Sequence, residues 1–145
     1  MTSCVSASVA AVVAALQAAP AVASQVARVR LRPWSEATAT AVAVRPVSAE
    51  RVEAQWGYSG PDVWAVRIGV ECYARAPAGT APDVAVDAVI QAVYARLMAD
   101  PTLAGAIPGG LEPQGLTYDF DADGEQTAAG VLQFIGRVTS GPTFA

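Results

Sequence analysis

Two segments of the chain space their apolar residues at intervals of three and four. Between Thr2 and Pro20 the apolar positions of this kind are Val5, Val9, Val12, Val13 and Leu16. After Pro82 they are Val86, Val89, Ile90, Val93, Tyr94 and Leu97. This spacing puts apolar side chains on one face of a helix. We therefore predict a first helix capped by Thr2 or Ser3 and a second that starts near Pro82 and stops at Asp100-Pro101.

Other segments alternate apolar and polar residues, which is typical of strands. The strongest alternation begins at Trp64, and one face of this strand would carry Trp64, Val66, Ile68, Val70, Cys72 and Ala74. Further strands are predicted at 26–32 and 38–45, and a closing hairpin at 116–121 and 131–139. Residues 47–62 contain glycine and proline with little periodicity, so they are predicted to form a long loop or a loose hairpin, and the glycine- and proline-rich residues 101–115 are predicted to form a loop.

The order of these elements indicates the fold class. Two amphipathic helices and several short strands in 145 residues fit one α+β domain over residues 1–145. The natural layering is a mostly antiparallel sheet with both helices packed on one face. The apolar faces of the closing hairpin are predicted to join the same core.

The apolar N-terminal stretch, residues 5–23, has some features of a secretory signal, including Ala21-Val22-Ala23. However, no Lys or Arg precedes it and Gln17 interrupts it. We expect a structural helix there. No run of about 18 residues is free of polar interruption, so we expect no membrane partner.

Composition limits the chemistry. The chain is 53% hydrophobic and carries a net charge of −4, which disfavours tight binding of duplex DNA. It has no histidine, so the usual general base and the commonest metal ligand are absent. Its two cysteines, Cys4 and Cys72, have no metal-binding spacing and suggest no disulfide framework.

Two short motifs approach known functional patterns without completing them. Gly57–Pro61 resembles a nucleophile elbow but ends in proline instead of glycine. Asp119–Gly124 matches the start of a calcium-binding loop, but the glutamate needed at the twelfth position is Gly130. We interpret both as turns and predict no enzyme activity, no catalytic residue, no cofactor and no metal.

Six residues are candidates for an interaction surface: Arg28, Arg30, Arg32, Trp34, Trp56 and Tyr58. The three arginines would share one strand face. They would contact phosphates, face solvent, or pair with acidic residues of the same or a neighbouring subunit. The aromatic residues stand in predicted loops, where they would either bind another protein or fold back over the core.

An ordered series of segments resembles the lambda-type tail terminator family of long-tailed bacteriophages. The series covers nearly the whole chain and is carried by Thr40–Val44, Trp64–Tyr73, Val89–Tyr94, Leu97–Leu103, Leu116–Phe120 and Val131–Thr139. The resemblance departs at Gly105–Gly115, which is longer and richer in proline and glycine than the family leads us to expect.

The resemblance implies a structural virion protein at the head-proximal end of a tail, assembled in the host cytoplasm. It would form a hexameric ring that binds the tail tube protein, stops tube polymerisation and meets the head–tail connector, and the sheath protein if the tail contracts. DNA would pass the lumen without specific binding. The alternatives are another connector or stopper protein and a small ligand-binding α+β domain.

Overall fold

One five-stranded sheet organises the chain. The computed structural model describes residues 2–30, 32–52, 61–120, 126–141 and 144. In chain order the elements are α1 (Cys4–Gln17), β1 (Gln25–Arg28), β2 (Thr40–Arg51), β3 (Asp62–Arg75), α2 (Pro82–Ala99), β4 (Leu111–Phe120) and β5 (Thr127–Ser140). The strand order is β1-β2-β3-β5-β4, and β1 is parallel to β2 while the other neighbours are antiparallel. The predicted α+β fold with a mostly antiparallel sheet is confirmed.

Both helices begin where the sequence predicts. Ser3 is the N-cap of α1, and its hydroxyl accepts a hydrogen bond of 3.1 Å from the amide of Ser6. Ala81 precedes α2, and Pro82 and Asp83 occupy the first turn, where a missing amide proton and a negative charge are both favourable. The helix ends at Ala99, directly before the predicted stop.

The helices pack on one face of the sheet and form a single core with it. The alternate residues of β3 supply the middle of that core, because Val66, Ile68, Val70 and Cys72 are all fully buried. Phe134 lies opposite Ile68 on β5 and is also fully buried. The helices contribute Val9, Val12, Leu16, Val86, Val93 and Leu97.

Strand β2 is longer than the strand predicted at 38–45. β2 continues to Arg51 and pairs antiparallel with β3, so residues 48–51 fit the predicted loose hairpin and the alternative of a long loop is wrong there. A register shift between Pro46 and Ser48 lets the strand continue past proline, which has no amide proton for the ladder. Asp62 already belongs to β3, and residues 53–60 of the same predicted segment lie outside the described residues.

β1 is shorter than predicted. It ends at Arg28, and Val29 has a φ of 54°, which turns the chain out of the extended conformation. The prediction of one strand over residues 26–32 is therefore wrong beyond Arg28.

The glycine-rich segment before β4 forms an ordered turn. Asp100 accepts hydrogen bonds of 2.7 Å from the Thr102 hydroxyl and the Ala104 amide. The bond from the Thr102 hydroxyl, and to a smaller extent the bond from the Ala104 amide, lower the pKa of the Asp100 carboxyl. Ile107 is fully buried and anchors the segment in the core. Strand β4 then starts at Leu111, so the predicted loop ends earlier than expected.

No helix in the described ranges is long and apolar enough to cross a membrane.

Candidate interaction surfaces

The edge strand β4 carries a cluster of exposed apolar side chains. Leu116, Tyr118 and Phe120 point to the helix side of the sheet, yet Tyr118 is 43% and Phe120 is 54% exposed. Their rings stack almost in parallel, with centroids 5.9 Å apart and planes 4° apart. The expectation that this apolar face would be buried in the core is wrong, because α2 lies over β3 and β5 and leaves the outer side of β4 uncovered.

A groove separates the first turns of α2 from the aromatic pair. Asp83, Val84 and Asp87 line its helix side, and Tyr118 and Phe120 line its strand side. Val84 is 61% exposed, although it is a valine on a helix. The groove therefore combines apolar surface with two carboxylates, and Asp119 adds a third on the other face of β4.

The backbone of β4 is also exposed at this edge. From Leu116 to Phe120 the strand pairs regularly with β5 on one side and has no described strand on the other. Farther down, Pro113 and a register shift before Gly115 interrupt the edge. Such interruptions discourage strand addition, so the regularly paired segment Leu116–Phe120 is the part of the edge that is accessible to a partner strand.

The opposite edge, β1, is short and partly blocked. It has four residues, and the side-chain amide of Gln17 donates a hydrogen bond of 3.0 Å to the carbonyl of Val26. Arg28 donates one of 2.7 Å to the hydroxyl of Ser6 on α1. Because serine carries no charge, the charge of Arg28 is not neutralised by this contact.

The three predicted arginines do not form one row. Arg28 contacts α1, whereas Arg30 crosses to the open face of the sheet and forms an ion pair of 3.0 Å with Glu71 on β3. Arg32 is exposed and lines a groove beside β1 together with Val29 and Trp34. The predicted shared face fails because the chain turns at Val29.

Trp34 folds back over the open face of the sheet. Its ring centroid lies 6.4 Å from that of Tyr73, and the Arg30 guanidinium lies 5.9 Å from its ring centre. Its indole nitrogen is buried and has no described hydrogen-bond partner. The other two predicted aromatic residues, Trp56 and Tyr58, lie outside the described residues.

The open face of the sheet carries arginines between small residues. Arg45 extends over Gly69, where an added Cβ would lie 3.4 Å from its Nε atom. Arg67 and Arg137 belong to the same face, as their register with Ser48, Ile135 and Ala65 shows. No helix of the described chain packs on this face.

Two observations on the described residues concern metal binding and nucleophilic chemistry. They contain no group of three or more potential metal-binding side chains. Cys72 is buried, and burial together with the Glu71 charge raises the pKa of its thiol to about 12. A buried, protonated thiol is a poor nucleophile. The calcium-like motif continues into residues 121–125, which lie outside the described part of the chain.

The sequence did not predict that Tyr118 and Phe120 are exposed, because their alternation with Thr117 and Asp119 is also typical of a strand with one face in the core. One signal was present. Both aromatic residues come shortly before the acidic stretch of the sequence that begins at Asp121.

Comparison with known proteins gives a structural match. No family model matches the sequence, and no curated protein sequence does. Among solved structures, the chain is similar to one from the virion of a native gene transfer agent (GTA) particle, with a TM-score of 0.55. The two chains are 16% identical, and the match covers 90% of this chain and 93% of that chain. At this identity the match shows a shared fold.

Proposed function

We propose that the protein is a non-enzymatic structural component of a phage-like virion, and that it forms a hexameric ring on the end of the tail tube. The ring stops tube polymerisation and presents a surface to the head–tail connector. It sits at the head-proximal end of the tail after assembly in the host cytoplasm, and DNA passes through its lumen without specific binding.

The observation that carries the proposal is the fold match to a chain of the GTA virion, which extends over 90% of the sequence. The resemblance to tail terminators, which rests on separate segments of the sequence, likewise supports a virion protein. A match over 90% of this chain and 93% of that chain supports a protein with the same architecture and not a shared fragment.

The surfaces support the same proposal. A ring protein needs large contacts between subunits, commonly above about 2,000 Å² in total for obligate assemblies. Exposed aromatic residues on the edge strand β4 provide unused contact surface. A small ligand-binding domain would instead need an enclosed pocket, whereas the grooves described above lie open at the surface.

Tube polymerisation tests the proposal. The tail tube protein of the same particle is polymerised with and without the purified protein, and tube lengths are measured by electron microscopy. We expect shorter tubes with a ring at one end, in proportion to the protein added. Unchanged lengths without end-bound rings would refute tail capping, and binding only to the connector would identify a stopper instead.

A further inference from the structure

We infer that neighbouring copies of this chain meet head to tail, with the β4 edge of one copy against the β1 edge of the next. The β4 edge comprises the segment Leu116–Phe120 with Asp83, Val84 and Asp87 of α2. The β1 edge comprises Gln25–Arg28 with Val29, Arg32 and Trp34. The inference rests on the proposed function in requiring that copies of the chain assemble.

The first argument is charge. The β4 edge carries three carboxylates within the described residues, Asp83, Asp87 and Asp119, and none of them has a described ion-pair partner. The β1 edge carries the unneutralised Arg28 and the exposed Arg32. Complementary charges favour contact between these two edges.

The same charges disfavour a symmetric contact between two β4 edges. Such a contact would bring two copies of each carboxylate together in a partly desolvated interface, which is costly. A contact between two different edges is heterologous, and a heterologous contact repeated around an axis produces a ring.

The second argument is the position of the two edges along the strand direction. Each residue of β1 lies on the same cross-strand row as one residue of β4. Gln25 is connected through Ala41, Tyr73 and Ala129 to Asp119. Arg28 is connected in the same way through Val44, Val70 and Leu132 to Leu116. The two edges therefore lie at the same end of the sheet, and copies placed side by side need little axial offset.

The third argument is the match of layers. Arg28 lies on the helix side of β1, where it contacts Ser6 of α1. The carboxylates Asp83 and Asp87 lie on the helix side of β4. Across a side-by-side contact, Arg28 of one copy faces the two α2 carboxylates of the next.

The groove beside β1 continues the match of layers on the open face. It has a volume of about 540 Å³, is lined by Arg32 and Trp34 among others, and lies on the same side of the sheet as Asp119. On the helix side, the stacked rings of Tyr118 and Phe120 lie in the same layer as Arg28, whose guanidinium an aromatic face accepts well. Because Gln17 blocks the Val26 carbonyl, side chains rather than a continuous ladder make this contact.

Two edge variants and their mixture test the inference. The first, Tyr118→Ser with Phe120→Ser, removes the aromatic pair, and the second, Arg28→Glu with Arg32→Glu, reverses the charge of the β1 edge. Native mass spectrometry measures assembly of each against the wild-type ring. Both variants alone are expected to be monomers, with dissociation constants raised more than about thirtyfold. An equimolar mixture is expected to give heterodimers, because it retains one intact edge of each kind.

Matched variants control for general effects of the substitutions. Val47→Ser with Val52→Ser removes exposed apolar side chains at the other end of the sheet, and Arg45→Glu with Arg137→Glu reverses charges on the open face. Both should assemble like the wild type. Thermal unfolding followed by circular dichroism checks that all variants fold.

Three outcomes would overturn the inference. These are rings formed by either edge variant alone, a mixture without heterodimers, and a wild-type chain that is monomeric at every concentration. Rings that depend on both edges but leave tube length unchanged would uphold the edge contact and refute tail capping. If both edge variants still form rings that cap tubes, tail capping would be upheld and the edge contact refuted.

Discussion

Gly109 lies directly against the backbone of Arg137 on β5. Its amide donates a hydrogen bond of 3.2 Å to the Arg137 carbonyl, and a Cβ added at Gly109 would lie 2.7 Å from the Arg137 Cβ and 3.1 Å from that carbonyl oxygen. This close approach fixes the turn that precedes β4. It gives the glycine-rich segment a structural role in positioning the edge strand.

Substitution of this glycine should therefore destabilise the protein. We expect Gly109→Ala to lower the free energy of unfolding by about 1–3 kcal/mol, because neither backbone can move without disturbing the sheet. Urea unfolding measures the change. The control is Gly115→Ala on β4, where an added Cβ would meet nothing within 4 Å and the change should stay within about 0.5 kcal/mol. Equal effects of the two substitutions would contradict the steric explanation.

Stability should fall at alkaline pH because of Cys72. Its thiol has a pKa raised from 9.0 to about 12 by burial and by the Glu71 charge. Between these values the unfolded chain ionises while the folded chain does not, so the unfolded state binds fewer protons and stability declines as pH rises. The decline attributable to one group approaches about 1.4 kcal/mol per pH unit.

Cys72→Val removes this group while roughly preserving volume. The difference in unfolding free energy between wild type and Cys72→Val should be constant below pH 9 and shift against the wild type between pH 9 and 12. A parallel pair of pH profiles would show that Cys72 does not carry the effect. The native thiol should also resist alkylation at pH 8 until the protein unfolds.

The ion pair between Arg30 and Glu71 should connect the segment after β1 to the sheet. Their atoms lie 3.0 Å apart, and only 13% of the Glu71 side chain is exposed against 35% of Arg30. We expect Glu71→Gln to cost about 1 kcal/mol in urea unfolding. It should also lower the pKa of Cys72, since one cause of that raised pKa is removed.

The more exposed pair formed by Arg51 and Asp62 is the control for this substitution. Its side chains are 58% and 42% exposed, so Asp62→Asn should change stability by less than about 0.5 kcal/mol. If Glu71→Gln leaves the alkaline reactivity of Cys72 unchanged, the charge coupling between these two neighbours is absent.

Arg96 of α2 should stabilise the end of α1. Its Nη1 atom donates hydrogen bonds of 2.8 Å to the carbonyls of Ala15 and Ala18, and Nη2 donates to the carbonyl of Pro20. The Ala15 and Ala18 carbonyls lie at the C-terminal end of α1, where carbonyls lack helical partners. Arg96→Ala should cost about 2 kcal/mol, with lost hydrogen-exchange protection in the last turn of α1.

Lysine at this position separates geometry from charge. Arg96→Lys keeps the charge but cannot reproduce the planar arrangement of donors, so it should recover only part of the loss. Full recovery by lysine would show that charge near the helix end is sufficient.

The sequence determined the secondary structure wherever one periodicity ran uninterrupted. The stripe from Val86 to Leu97 and the alternation from Trp64 to Ala74 fixed α2, β3 and the core they share, because side-chain direction follows directly from backbone geometry. The lack of histidine limited the chemistry in the same direct way.

Tertiary structure alone decided which apolar faces are covered. Leu116, Tyr118 and Phe120 alternate as a buried strand would, but the helices of the described chain lie mainly over β1, β2, β3 and β5, so these side chains on β4 stay exposed. The separation of Arg28 from Arg30 likewise depends on a turn at Val29, whose residue type gives no local signal for a positive φ. Periodicity states which side a residue faces. Whether another layer lies on that side is set by distant parts of the chain, and for the β4 edge no part of the described chain covers it.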